Sequence, residues 1–163
     1  MKLRRIAAAA SIASLAVLAA AAWSADMAGR ATFVEPGQMK WGDAPPVLPK
    51  GAQLAVLQGD PSKGGSFVIR LKVPSNYKIA PHWHSKDENL TVVSGTFYLA
   101  EGEKADTKHA HALKAGSFHY LPAETRHYAY AKGGPAVVQV HGEGPFDITY
   151  VNPADDPSRS AQK

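Results

Sequence analysis

Apolar and polar residues alternate along most of the chain beyond residue 50. The clearest case is the stretch 66–73, in which Phe67, Ile69, Leu71 and Val73 occupy every second position. Because successive side chains of a strand point to opposite faces, this spacing predicts a strand with one buried face. The same reasoning predicts ten strands, at 53–58, 66–73, 77–84, 88–94, 96–100, 110–113, 117–121, 127–131, 136–141 and 146–151.

Turn signals separate these short strands, which is typical of a β-sandwich or a closed barrel. The chain has no internal repeat, so we expect one all-β domain over residues 51–153. Residues 26–50 contain Pro45, Pro46 and Pro49, which favour an extended arm along the outside of that domain, packed down by Trp41. The polar residues 154–163 are predicted to form a flexible tail.

The first 25 residues have the three-part pattern of a bacterial secretory signal peptide. A basic start, Met1 to Arg5, precedes an apolar, Ala-rich run that ends at Trp23. Cleavage after Ser24 or after Ala22 satisfies the small-residue rule, and the paired arginines leave export by the Sec or the twin-arginine route open. An uncleaved anchor is the alternative, although the alanine content makes the run weakly hydrophobic. We therefore expect a periplasmic or secreted protein.

Signal cleavage changes the charge balance of the protein. It removes three of the 18 basic residues and none of the 14 acidic ones, so the formal net charge falls from +4 to +1. The net charge of the mature chain therefore gives no reason to expect binding to nucleic acid or to a membrane surface. It also contains no cysteine, which excludes disulfides, thiolate ligands and a thiol nucleophile. No phosphate-binding loop, dinucleotide fingerprint or nucleophile motif is present, which argues against kinase, nicotinamide-dependent and hydrolase roles.

Three histidines and a glutamate form the pattern in the sequence that says most about function. His82 and His84 are two residues apart, so on a strand they face the same side and can bind one ion. After a short polar turn, Glu88 begins the next predicted strand, and His127 begins a separate one. Imidazole and carboxylate ligands suit divalent Fe, Mn, Ni, Cu, Co or Zn. The sequence predicts one divalent transition metal held by these four residues.

The first segment resembles the first motif of the cupin family, G-x5-H-x-H-x3,4-E-x6-G. The match runs from Asn76 through His82, His84 and Glu88 to Gly95 with the correct spacing. Asn76 replaces the opening glycine, and asparagine also tolerates turn geometry.

The second cupin motif, G-x5-P-x-G-x2-H-x3-N, matches at Gly116, Pro122 and His127. Glu124 replaces its middle glycine and Ala131 its final asparagine. Residues 140–153 are similar to the C-terminal part of small exported single-domain cupins. The chain is therefore identified as a member of the cupin family.

This resemblance implies an antiparallel cupin β-barrel, also called a jelly roll or double-stranded β-helix, and a homodimer in which the arm covers the partner's sheet edge. It implies a metal-dependent oxidoreductase, dioxygenase-like and acting on a small organic molecule, with Glu88 as a ligand that also accepts a proton. Gln139 and His141 are expected to bind the substrate. The alternatives are a non-catalytic periplasmic protein that binds a small molecule or a metal, and a metal-dependent isomerase or decarboxylase.

The remaining histidines are assigned smaller roles. His109 and His111 follow a charged loop, 101–108, and are expected at the surface. His119 is expected to be hydrogen-bonded or exposed, and Glu124 to be solvated in a turn.

Overall fold

The computed structural model describes residues 31–160, which contain two antiparallel β-sheets. The predicted signal peptide, the first five residues of the predicted arm and the last three of the predicted tail lie outside the described residues. From Val34 onward the chain forms one compact unit. Within residues 31–160, no helix combines the length and the apolar character needed to cross a bilayer.

All ten predicted strands are present, with shifted ends, and a short additional strand lies in the arm. The predicted strand at 146–151 shortens to two residues, and that at 136–141 extends to Gly144. The strands are β1 (Gly42–Asp43), β2 (Gln53–Gln58), β3 (Gly65–Val73), β4 (Lys78–Trp83), β5 (Glu88–Ser94), β6 (Thr96–Glu101), β7 (His111–Lys114), β8 (Phe118–Leu121), β9 (His127–Ala131), β10 (Ala136–Gly144) and β11 (Thr149–Tyr150).

The strand order is that of a jelly roll. One sheet has the order β1-β2-β3-β10-β5-β8, and the other has the order β11-β4-β9-β6-β7. Every pairing is antiparallel. The predicted all-β antiparallel barrel is therefore confirmed.

The core lies between the inner faces of the two sheets. Phe67 and Phe97 are among its largest fully buried side chains, and the alternating residues Ile69, Leu71 and Val73 of β3 all belong to it. Each such side chain contributes about 1.5–3 kcal/mol when it leaves water. Among the described residues, the buried polar or charged ones are the four predicted metal ligands, His82, His84, Glu88 and His127.

The described part of the arm contacts both sheets, and its residue Leu48 is buried in the core. β1 pairs with β2, and the Lys72 ammonium lies 4.5 Å from the centre of the Trp41 ring. The hydroxyls of Tyr77 and Tyr150 donate to the carbonyls of Pro49 and Val47, at 2.6 and 2.7 Å. After β11 the chain forms a 3-10 helix at Pro153–Asp155 and one turn of α-helix at Pro157–Ser160. The flexibility of the tail stays a prediction.

Candidate metal centre

The fold brings His82, His84 and His127 together at one end of the barrel. His82 on β4 lies opposite His127 on β9, and His84 follows two residues after His82. One ring nitrogen from each of the three lies within 4.8 Å of the others, and all three side chains are buried. The ring centres of His82 and His127 are 4.1 Å apart. The alternation of side chains along a strand predicted that His82 and His84 face the same side, and the structure shows this.

Backbone carbonyls fix the orientation of all three rings. Nδ1 of His82 donates to the Ala80 carbonyl at 2.7 Å, Nδ1 of His127 donates to the Thr125 carbonyl at 3.0 Å, and Nδ1 of His84 donates to the carbonyl of Asp147. A carbonyl only accepts, so each Nδ1 carries the proton. Each Nε2 therefore keeps a lone pair, which is the form of imidazole that binds a metal.

Glu88 completes the site from the opposite sheet. Its carboxylate atom Oε2 lies 3.9 Å from Nε2 of His84 and 3.7 Å from Nε2 of His127. These distances are too long for hydrogen bonds. Among the described residues, neither His84 Nε2 nor Glu88 Oε2 has a hydrogen-bond partner, although both atoms are fully buried. Buried polar atoms without a partner are expensive in a protein interior, and a cation bound between these two would satisfy both.

Burial also sets the protonation state of the ligands. It holds the pKa of His82 well below its usual value and lowers the pKa of His127 to about 4. Both rings are therefore neutral at pH 7, as metal binding requires. Burial raises the pKa of the Glu88 carboxyl, which makes Glu88 the group at this site best suited to hold a proton.

The segment between β10 and β11 covers His84. The ring of Phe146 stacks on that of His84, with centres 4.4 Å apart and planes at 20°. The side chain of Asp147 accepts hydrogen bonds from the Ser85 amide and hydroxyl, at 2.9 and 2.7 Å. Sequence reasoning assigned no role to Phe146 or Asp147, although the similarity of residues 140–153 to exported cupins pointed to this segment.

A cavity of about 30 Å³ borders the histidine cluster. His82, Glu88 and His127 line it on one side, and apolar side chains from several strands line the rest, including Leu90, Leu99, Phe97, Val138 and Val140. Such a space holds about one or two water molecules.

Gln139 and His141 do not lie at this site. Val138 and Val140 of β10 line the cavity, so the residues that alternate with them point to the outer face of the sheet. There Oε1 of Gln139 accepts a hydrogen bond from Nε of Arg70 at 3.2 Å. The structure therefore does not bring the two predicted substrate-binding residues to the cavity. The prediction relied on resemblance to the family. The alternation of apolar and polar residues along this strand instead favours an outward orientation for these two side chains.

His109 is at the surface, as expected, where its Nδ1 contacts the Asp106 carboxylate at 2.6 Å. His111 is exposed as well. His119 differs from the prediction, because it is partly buried and its Nδ1 is enclosed without a partner among the described residues.

The two residues that replace motif glycines adopt the backbone conformation of a glycine. Asn76 and Glu124 both have φ of 63°. The amide of Glu124 donates to the His84 carbonyl at 2.8 Å, which ties the loop before His127 to the end of β4. The turn geometry of the second motif is therefore kept without its glycine.

Solved structures share this jelly roll at low sequence identity. The polyketide cyclase RemF from Streptomyces resistomycificus is 17% identical, with a TM-score of 0.64 over 82% of this chain and 94% of RemF. A protein from Methylibium petroleiphilum PM1, provisionally named an acetylacetone dioxygenase, is 19% identical, with a TM-score of 0.60 over 78% and 85%. An RmlC-like cupin from Shewanella frigidimarina NCIMB 400 is 15% identical, with a TM-score of 0.54 over 70% and 91%.

The fold is that of a cupin, and it contains a buried cluster of three histidines. No curated protein matches the chain. A family described as a domain of unknown function, DUF4437, matches residues 31–149. The chain belongs to this family.

Proposed function

We propose that this protein binds one divalent transition metal through His82, His84, Glu88 and His127, and uses it as a dioxygenase-like oxidoreductase on a small organic molecule. The observation that carries the proposal is the orientation of the three imidazoles. Each Nδ1 is held by a backbone carbonyl, and the Nε2 atoms of His84 and His127 lie 3.9 and 3.7 Å from Oε2 of Glu88, an atom without a hydrogen-bond partner among the described residues. The donor set, three neutral imidazoles and one carboxylate, suits Fe, Mn, Ni, Cu, Co or Zn.

A bound ion supplies Lewis-acid polarisation of a ligand oxygen and, for Fe, Mn or Cu, electron transfer. The residues of the chain supply the rest. Glu88, whose pKa burial raises, accepts a proton from an enolisable substrate. The Phe146 ring and the apolar walls of the cavity exclude water from the site, which strengthens electrostatic interactions there. The provisional name of the Methylibium relative fits oxidation of such a substrate.

The small cavity favours a second candidate. A volume of about 30 Å³ leaves little room for an organic substrate, which suits a periplasmic protein that binds a metal or a small ligand without turnover. An isomerase or decarboxylase stays open as well, because proton transfer by Glu88 does not require oxygen.

Oxygen uptake separates these candidates. Protein loaded anaerobically with Fe(II), then given acetylacetone or another small enolisable or dihydroxylated compound in aerated buffer, should consume oxygen in an electrode cell. The His84→Ala variant should consume oxygen at the background rate, because it loses a ligand. His109→Ala, at an exposed histidine outside the site, should match the wild type.

Product analysis distinguishes the alternatives in the same samples. Conversion without oxygen uptake would support the isomerase or decarboxylase. Binding without conversion by Fe-, Mn-, Ni- and Cu-loaded protein would support the binding protein and contradict the enzymatic proposal.

We also propose that the protein is exported to the periplasm or beyond and forms a homodimer. Val56 is 48% exposed on β2, next to the edge strand β1, where a partner's arm can cover the edge. Light scattering of the exported protein should give twice the mass of the mature chain, and N-terminal sequencing should begin near residue 25. A concentration-independent monomer, or a retained Met1, would contradict the respective claim.

A further inference from the structure

The cavity beside the histidine cluster is smaller than the ligands that a metal there would bind through two oxygens. Its volume of about 30 Å³ accommodates the coordinating atoms and little else. Any further atoms of such a ligand have to lie in a gap in the barrel wall next to the cavity.

Among the described residues, the edge strands β7 and β8 border such a gap. β7 is the last strand of the five-stranded sheet, and β8 is the last strand of the six-stranded sheet. Within residues 31–160, no strand pairing joins β7 to β8, although only residues 115–117 separate them in sequence. We call the gap between His111–Lys114 and Phe118–Leu121 the seam.

Three polar side chains face the seam from the inner side of the strands. Glu101 pairs with His127 across β6 and β9, and it shares the face of Leu99. His111 pairs with that same Leu99. His119 pairs with Leu90 across β8 and β5. Since His127, Leu99 and Leu90 all line the cavity, the three polar residues lie between the cavity and solvent.

His119 is the innermost of the three. Glu101 and His111 are exposed, whereas His119 is partly buried and its Nδ1 atom is enclosed without a partner among the described residues. Burial lowers the pKa of His119, with the Glu101 carboxylate opposing the change and His111 adding to it. The strand partner of His119, Leu90, lines the cavity, and the His119 side chain lies close enough to Glu101 and His111 for their charges to affect it, so His119 lies between the seam and the cavity.

We propose that the seam is a substrate subsite and that His119 hydrogen-bonds the part of the substrate that does not contact the metal. One carboxylate and two imidazoles favour an uncharged hydroxyl there over a second anionic group. The substrate class is therefore a small metal-chelating compound with a hydroxyl on its free end. This subsite rests on the proposed metal centre, and it is not a second metal site, because no other group of three metal-ligating side chains converges within residues 31–160.

A matched pair of probes tests the subsite. 2-Hydroxybutanoate and 2,4-dihydroxybutanoate have the same chelating head and differ by one terminal hydroxyl. Cobalt(II)-loaded protein is titrated with each, and visible absorption of the metal gives the Kd. Wild type should bind the dihydroxy compound up to about tenfold more tightly, the upper end of the size expected of one hydrogen bond. The ratio should fall to about one in both His119→Ala and His119→Phe, and His109→Ala should keep the wild-type ratio.

The two variants separate hydrogen bonding from a steric role, because Ala removes the bulk of the ring and Phe keeps it. A ratio that survives both substitutions, with association faster in Ala and slower in Phe, would show a gate and overturn the hydrogen-bonding role. If the wild-type protein binds the two compounds with about the same Kd, the proposed subsite is wrong. Loss of cobalt by both variants would also overturn it, since His119 would then support the metal site itself.

The proposed activity and the proposed subsite can be contradicted separately. Protein that shows the His119-dependent ratio but consumes no oxygen would contradict the oxidoreductase and support the subsite. Wild type that binds no cobalt would contradict both.

Discussion

Substituting His84→Ala should lower the affinity for a divalent metal by more than about 100-fold. Losing a residue that only orients a ligand costs roughly 10- to 100-fold in metal proteins, and His84 supplies one of the ligand atoms itself. Wild type should hold about one metal per chain after dialysis against trace metal. Elemental analysis and isothermal titration calorimetry with Zn(II) measure the difference.

Thermal unfolding gives a second readout of the same change. At a metal concentration of 100 times the Kd, binding stabilises the folded state by about 2.7 kcal/mol, so the Tm of wild type should rise with added metal. The Tm of His84→Ala should not. Replacing His109 and His111 together by alanine should leave metal content and the metal-induced Tm shift unchanged, and loss of metal in that double variant with retention in His84→Ala would overturn the site assignment.

Substituting Gly95→Ala should lower the free energy of unfolding by about 2–5 kcal/mol. Gly95 has φ of +76°, and a Cβ added there would lie 2.3 Å from the Pro135 carbonyl oxygen. The left-handed conformation costs about 1–2 kcal/mol for an L-residue, and forcing backbone apart adds about 1–3 kcal/mol. Urea unfolding followed by circular dichroism measures the change.

Gly116 is the matched control for Gly95. It also has a positive φ, +87°, but an added Cβ would meet no heavy atom within 4 Å. Gly116→Ala should therefore lower the free energy of unfolding only by the cost of the left-handed conformation, about 1–2 kcal/mol. Equal losses in the two variants would show that the contact with Pro135 contributes nothing.

The ligand set was predictable because its determinants are local. His82 and His84 face the same side wherever that segment forms a strand, and the turn at 85–87 fixes where Glu88 follows. The role of Gln139 and His141 was predicted from resemblance and from the strand face that the two residues share. The alternation of Val138 and Val140 with these two residues already favoured an outward orientation, and the structure shows it.

The position of His119 could not be predicted from the local sequence pattern. Its strand, β8, is four residues long and pairs with β5, and His119 is partly buried between two exposed neighbours. No local pattern predicts that β7 and β8 are the edge strands of their respective sheets. Which polar residues border the cavity depends on this long-range topology.

Alternation, turn residues and motif spacing by themselves determined the strands, the all-β class and the four candidate ligands, because each is set by residues close together in the chain. The tertiary structure alone decided that Phe146 stacks on His84, that the cavity is as small as about 30 Å³, and that Glu101, His111 and His119 meet at one seam. These features join segments that are distant in sequence, and only the pairing of the two sheets and the packing of the core bring such segments together.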